Sequence, residues 1–168
     1  MTRIKLCGLT RPEDIAAANA LQPEYIGFVF APQSRRYVSR EMAAELKAQL
    51  SPEIQAVGVF VNEAPETVAG LLNAGIIDIA QLHGQEDAAY IARLRGLTAR
   101  PLWQVFRVTD AASLAKAEKS PADLVLLDSG AGGTGTTFDW TLLEKFDRPY
   151  FLAGGLGPEN TADAVERL

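Results

Sequence analysis

The feature that most constrains the fold is a regular alternation of short apolar segments with longer amphipathic ones along all 168 residues. Strict strand–helix succession is typical of an α/β fold in which parallel strands are joined by right-handed crossovers. The near-continuous apolar character of several segments predicts strands covered on both faces. The pattern predicts strands at residues 4–7, 25–30, 56–61, 79–82, 102–106, 124–128 and 150–153, and helices at residues 12–20, 40–50, 64–74, 86–95, 111–119, 139–145 and 158–168.

Both an open doubly wound sheet and a closed barrel are compatible with this alternation, and the repeat length separates them. The strand starts recur about every 24 residues, close to the repeat of an eight-unit barrel. A capping box is predicted over residues 10–13. Seven units are present, and the last helical pattern ends without a Gly or Asn cap. We therefore predict one domain, residues 1–168, with a (β/α)8 TIM barrel fold whose eighth strand–helix unit is absent, and self-association through the open barrel edge.

Composition excludes several classes of protein. A hydrophobic fraction of 48% and a charged fraction of 22% indicate a folded chain, and the net charge of −5 opposes binding to nucleic acid or to an anionic membrane. The sequence shows neither a secretory leader nor a stretch of about 20 apolar residues. With a single cysteine, no internal disulfide can form. These observations predict a cytoplasmic location and a small-molecule ligand.

Ligands of parallel α/β folds bind at the carboxyl ends of the strands, so the last residues of each predicted strand are the candidates for chemistry. Alternation in the first strand places Lys5 and Cys7 on one face. A neighbouring ammonium stabilises a thiolate, which makes Cys7 a candidate base or nucleophile. The alternative is that Cys7 is a small buried apolar residue.

Three further polar residues follow predicted strands. Asp128 closes an apolar run, a setting that favours a neutral general acid, although an N-cap or a loop salt bridge is the alternative. Arg36 could clamp a carboxylate or phosphate, although arginines in loops are usually solvated. His83 is the sole histidine, and no triad partner or second metal ligand stands near it in sequence. A packing or hydrogen-bonding role is therefore favoured for His83.

Two glycine-rich turns predict a phosphate site. Residues 130–135 match a dinucleotide-binding pattern formally, but the next helix begins too late and the next strand lacks the acid that binds ribose. Gly133, together with Gly154 and Gly155 in the following unit, instead predicts backbone amides gathered around a phosphate.

Seven motifs in order resemble the phosphoribosylanthranilate isomerase family of tryptophan biosynthesis. The resemblance covers residues 3–160. The motifs lie at residues 5–10, at 27–30 with 34–37, at 58–62, at 81–84, at 127–129 with 133–135, at 138–140, and at 154–156 with 158–160.

The resemblance implies a (β/α)8 barrel that carries out an Amadori rearrangement without a metal or an organic cofactor. In that chemistry Asp128 protonates the sugar ring oxygen and Cys7 removes the C2 proton, while Arg36 binds the anthranilate carboxylate. The resemblance further implies that the amides at Gly133, Gly154 and Gly155 hold the phosphate, and that Gln81 and His83 contact the substrate.

Two alternatives remain at this point. Family members usually continue into an eighth strand with an acidic residue and a Ser-Ser-Gly turn, so this chain could be a weakly active or inactive barrel that retains only phosphate or partner binding. The related sugar-phosphate isomerase of histidine biosynthesis performs the same rearrangement with paired aspartates, and Cys7 argues against it.

Overall fold

All seven predicted strands occur in the structure, a computed structural model that describes residues 2–129 and 138–167. The described residues form two compact units, which meet in sequence between Leu102 and Trp103. The strands are β1 Lys5–Cys7, β2 Tyr25–Val29, β3 Gln55–Phe60, β4 Ile79–Leu82, β5 Leu102–Arg107, β6 Leu124–Asp128 and β7 Tyr150–Ala153. The helices are α1 Pro12–Leu21, α2 Arg40–Ala48, α3 Pro65–Asn73, α4 Ala88–Arg95, α5 Ala111–Glu118 and α6 Thr161–Arg167, with a 3₁₀ helix at Trp140–Lys145.

In the first unit, β1 to β4 pair side by side in sequence order, and each pair is parallel. All residues of β2 and β4, and all of β3 except Gln55, are buried, as their nearly continuous apolar sequence predicts. Phe28 and Phe60 are fully buried, and the ring of Phe60 stacks on that of Phe30 with centroids 5.2 Å apart. Burying one such aromatic side chain stabilises the fold by about 1.5–3 kcal/mol.

In the second unit, β5, β6 and β7 also pair in parallel and in sequence order. The core of this unit lies where α5 and the 3₁₀ helix cover the strands. Its buried members are Val108, Leu114, Ala117, Val125, Leu127 and Leu143. On β5 and β7 the rings of Trp103 and Phe151 stack with centroids 5.1 Å apart.

Helix α1 begins at Pro12 as predicted but is capped by a different residue, and α4 begins two residues later than predicted. At α1, the carboxylate of Asp14 rather than Glu13 accepts the backbone N–H groups of Thr10 and Arg11, at 3.0 and 3.1 Å. The helix predicted from residue 86 begins at Ala88. There the Asp87 side chain accepts the N–H of Tyr90 and so ends the irregular segment.

The two last helical segments are shorter than predicted. The α-helix predicted at residues 139–145 is a 3₁₀ helix over Trp140–Lys145, and the Asp139 side chain caps it by accepting the N–H of Thr141. The helix predicted from residue 158 begins at Thr161, because the Asn160 side chain accepts the Gly157 N–H and so forms a turn there.

Within the described part of the chain, no helix combines the length and the apolar character that crossing a bilayer requires. The prediction of a single domain stays a prediction.

Candidate active site

At the carboxyl end of β1, the side chains of Lys5 and Cys7 lie over Gly27 of β2. Cys7 is opposite Gly27 in the strand register. A Cβ atom on Gly27 would lie 2.7 Å from the Cys7 Sγ and 3.1 Å from the Lys5 Nζ. The predicted shared face is therefore confirmed, and the thiol occupies space that only glycine leaves open. Because Cys7 is exposed, the alternative of a buried apolar cysteine is wrong.

Arg36 is held beside the same strand end. Its Nη1 donates a hydrogen bond of 3.2 Å to the Cys7 carbonyl oxygen, and its backbone N–H donates to the Ser34 hydroxyl at 3.1 Å. The guanidinium lies against Gly8, where a Cβ would come within 2.5 Å of the Arg36 Cδ. Gly8 also has a φ of 89°, which glycine adopts without strain. Arg36 is itself exposed, so its guanidinium can face a ligand above Cys7.

Gln81 and His83 lie two residues apart at the end of β4 and contact each other. The Gln81 Nε2 is 3.4 Å from the His83 Nδ1. Gln81 is only 3% exposed, and its Oε1 has no hydrogen-bond partner among residues 2–129 and 138–167. His83 is exposed, and its backbone N–H donates to the Phe60 carbonyl at 2.8 Å. The pair thus combines an exposed imidazole with a buried acceptor.

In the second unit, Asp128 ends β6 and lies against the glycine turn that follows β7. Its backbone is opposite Ala153 in the strand register. A Cβ on Gly154 would overlap the Asp128 Oδ1 and the Ser129 hydroxyl, and Gly154 has a φ of 81°. Gly155 follows with a φ of 67°. The backbone of the predicted phosphate turn therefore packs directly on the predicted acid, and a side chain at Gly154 would separate them.

Asn160 shapes the same turn, and the sequence pattern did not single it out as a separate residue. Its Nδ2 donates to the Gly155 carbonyl and its Oδ1 accepts from the Gly157 N–H, both at 2.8 Å. An asparagine that follows a glycine-rich segment by a few residues is the signal that could have identified it.

The structure therefore brings the predicted residues together in three groups. Cys7 and Arg36 share one strand end, Gln81 and His83 share another, and Asp128 lies with Gly154 and Gly155. Gly133 lies outside the described residues. The expectation that Cys7 and Asp128 act on one substrate stays a prediction.

One further residue near His83 was not identified as a separate candidate from the sequence. Glu86 is only 6% exposed, and its two carboxylate oxygens accept the backbone N–H groups of Asn62 and Gly84, each at 2.7 Å. The sequence did not reveal Glu86 as a candidate, because the pattern assigns it to the first position of a predicted helix. In the described ranges, no three His, Cys, Asp or Glu side chains converge as a metal site would require.

Comparison with known proteins places this chain in a family. The sequence model of the N-(5'-phosphoribosyl)anthranilate (PRA) isomerases matches residues 4–168. The chain is 46% identical over 173 residues to the N-(5'-phosphoribosyl)anthranilate isomerase of Dechloromonas aromatica, and the match covers 99% of this chain and 81% of the relative.

Two solved structures show the same fold. The phosphoribosyl anthranilate isomerase of Thermus thermophilus has a TM-score of 0.87 at 34% identity, over 98% of this chain and 82% of that one. A second phosphoribosyl anthranilate isomerase, in complex with reduced 1-(o-carboxyphenylamino)-1-deoxyribulose 5-phosphate, has a TM-score of 0.84 at 32% identity, over 99% of this chain and 82% of that one. By fold and by sequence, this chain belongs to the N-(5'-phosphoribosyl)anthranilate isomerase family.

Proposed function

We propose that this chain converts N-(5-phosphoribosyl)anthranilate to 1-(2-carboxyphenylamino)-1-deoxyribulose 5-phosphate, an Amadori rearrangement of tryptophan biosynthesis. The observation that carries the proposal is the contact of Arg36 with Cys7 at the end of β1, in a chain that the family model matches over residues 4–168. This contact combines a thiol that can move a proton with a guanidinium that can orient an anionic substrate.

Arg36 binds the anthranilate carboxylate in this proposal. A guanidinium presents two parallel N–H groups that match the two oxygens of a carboxylate. One N–H of Arg36 already donates to the Cys7 carbonyl oxygen, and this hydrogen bond orients the guanidinium next to the thiol. Substrate bound there has its aromatic amine end close to Cys7.

The proton transfers follow from the two remaining groups. Asp128, as a neutral acid, protonates the furanose ring oxygen, and the ring opens to an iminium at C1. The iminium acidifies the C2 proton, which the Cys7 thiolate removes to give an enolamine. Protonation at C1, with loss of the C2 hydroxyl proton, then gives the ketone; two protons are delivered to the substrate and two removed, so the reaction is a net isomerisation. The ammonium of Lys5 lies on the same face as the thiol.

The remaining predicted residues bind the substrate. We place the phosphate at the turn of Gly154 and Gly155, where consecutive residues with positive φ expose backbone amides, and at Gly133. Gln81 offers a buried acceptor without a partner in the described ranges, and this acceptor suits a sugar hydroxyl or the anthranilate N–H. His83 adds an exposed polar group beside it.

The finer points of architecture are proposals of the same kind. The likeness to the solved isomerases supports a (β/α)8 barrel as the complete fold. Self-association through a sheet edge can be measured by light scattering of the purified chain. The cytoplasmic location and the absence of a cofactor stay predictions.

Two single substitutions test the mechanism. Cys7→Ser and Asp128→Asn are each expected to lower kcat at least ~100-fold, the usual contribution of a general acid or base. The measurement is steady-state turnover of freshly prepared N-(5-phosphoribosyl)anthranilate, followed by fluorescence. Asp147→Asn, at an exposed aspartate, is the matched control and should retain full turnover.

Each outcome bears on a stated role. Unchanged turnover in either variant removes that residue from proton transfer. If the unmodified chain binds a product analogue but shows no turnover, the chain is a binding protein and the proposed activity is wrong.

A further inference from the structure

We propose that Glu86 and Asn62 form a positioning pair that holds His83 at the substrate site. The proposal rests on the proposed function for the role of His83, but its geometric part stands on the contacts of the first unit alone. Glu86 is a buried carboxylate that the proton transfers above do not use.

Glu86 joins the ends of two neighbouring strands. Its Oε1 accepts the N–H of Asn62, which follows β3, and its Oε2 accepts the N–H of Gly84, which follows β4. Both distances are 2.7 Å, typical of charge-assisted hydrogen bonds. A carboxylate that is 6% exposed is costly to bury unless such bonds satisfy it. One side chain therefore fixes the spacing of the two loops.

Asn62 completes the arrangement from the other strand. Its Oδ1 accepts the N–H of Gln85 at 2.7 Å. Its φ of 56° is in the left-handed region, which asparagine adopts more readily than most residues with a side chain. A Cβ on Gly84 would lie 2.5 Å from the Asn62 Oδ1, so the two loops pack closely and leave no space for a side chain at Gly84.

Three consecutive backbone N–H groups are held by hydrogen bonds, two of them to this pair. His83 donates to the Phe60 carbonyl, Gly84 to Glu86 and Gln85 to Asn62. His83 itself is exposed, and an exposed imidazole on a free loop would sample many positions. The pair restricts the backbone that carries the ring, which preserves the 3.4 Å approach of its Nδ1 to Gln81. Positioning the ring in advance lowers the entropic cost of binding substrate.

His83 is the only histidine in the chain, so its ring can be observed directly. The experiment records the imidazole signals by NMR for the full chain and for Glu86→Gln, with Glu66→Gln as the matched control. Glutamine keeps the volume of Glu86 but replaces one acceptor oxygen with a donor. Glu66 is an exposed glutamate whose carboxylate pairs with Arg93. We expect Glu86→Gln to shift the ring signals, and Glu66→Gln to leave them unchanged.

A second pair of variants covers the case in which Glu86→Gln does not fold. Asn62→Gly permits the left-handed backbone but removes the acceptor for Gln85, whereas Asn62→Asp keeps an oxygen at that place. We expect altered ring signals in Asn62→Gly and signals close to those of the unmodified chain in Asn62→Asp. Unchanged signals in folded Glu86→Gln and in Asn62→Gly would overturn the proposal.

Kinetics provide the functional half of the test through a double-mutant cycle. Glu86→Gln is expected to lower kcat/KM for N-(5-phosphoribosyl)anthranilate about 10-fold in the unmodified chain and less than about 2-fold in the His83→Ala background. A purely structural role of Glu86 would give the same loss in both backgrounds, which would overturn the proposal.

The failure of the proposed function can be told apart from the failure of this inference. An unmodified chain without turnover contradicts the proposed function, whereas the ring signals still decide whether Glu86 and Asn62 position His83. If the chain is active but Glu86→Gln changes neither the ring signals of His83 nor kcat/KM, only this inference is contradicted.

Discussion

The two units differ in the contacts that hold their chemical groups. In the first unit, Arg36 donates to the Cys7 carbonyl oxygen, and Glu86 accepts two loop N–H groups. In the second unit, the backbone of Gly154, at a φ of 81°, packs on the Asp128 carboxylate. Polar side chains therefore make the main contacts described at the thiol end, whereas the acid itself lies against a backbone position that favours glycine.

The supporting loops of the two units also differ. The loop after α5 is fixed by one residue that lies far along the chain, Arg148. Its guanidinium donates to the carbonyl oxygens of Ala117, Glu118, Ser120 and Ala122. In the first unit the corresponding contacts are divided among several side chains. A single substitution should therefore disturb the second unit more than the first.

The largest effect is expected from Gly154→Ala. The added methyl group would overlap the Asp128 carboxylate and the Ser129 hydroxyl, and alanine resists the φ of 81°. We expect kcat/KM to fall about 100-fold or more, since this change displaces a predicted general acid. Steady-state kinetics measure it.

Gly75→Ala is the matched control in the first unit. Gly75 has a φ of 70°, but a Cβ atom at this position would meet no heavy atom within 4 Å. The variant should lose about 1 kcal/mol of unfolding free energy and no activity. Equal kinetics for the two variants would contradict the close packing of Gly154 on Asp128.

An intermediate effect is expected from Arg148→Met, which keeps the apolar stem and removes the donors. The carbonyl oxygens of the loop after α5 lose a charged donor, so the free energy of unfolding should fall by about 2–3 kcal/mol. Urea unfolding measures this change. Arg167→Met removes an exposed pair with Asp163 and should cost under about 0.5 kcal/mol. If both variants unfold at the same urea concentration, Arg148 does not organise the second unit.

The smallest effect is expected from Asp14→Asn at the start of α1. The Arg11 side chain and the backbone N–H groups of Thr10 and Arg11 lower the pKa of Asp14 from 3.8 to about 2. Because the folded pKa is depressed, this stabilisation is present above about pH 4 and is lost as the pH falls toward 2.

The substitution should therefore lower the unfolding free energy by about 0.5–1 kcal/mol at neutral pH and by less near pH 2. Thermal unfolding at the two pH values measures it. A loss that is as large at about pH 2 as at about pH 7 would show that the charge of Asp14 has no part in the cap.

Local pattern predicted the strands well because period and apolar content are properties of the sequence itself. The strand predicted at residues 124–128 agrees with β6, and the shared face of Lys5 and Cys7 follows from alternation alone. The starts of α1, α2 and α5 were also predicted correctly, whereas the capping residue of α1 and the start of α4 were not. Asp14 and Asp87 are the residues that cap there, since several polar residues near a helix start compete for the same N–H groups.

The sequence predicted the reactive residues that lie at strand ends. It missed residues whose role depends on contacts that form only in the folded chain. Cys7 and Arg36 are distant in sequence, and the family resemblance assigned both to one substrate without predicting the contact between them. Glu86 could not be recognised because its burial depends on where the loop after β3 lies, and single-sequence periodicity carries no such information.

Arg148 has a consequence for biosynthesis on the ribosome. The carbonyl oxygens that it gathers belong to residues synthesised 26 to 31 positions earlier. During translation, the segment between α5 and β6 therefore emerges before Arg148 and lacks these hydrogen bonds until that residue has been synthesised. A nascent chain halted before that residue should expose this segment to proteases, whereas one halted well beyond it should not.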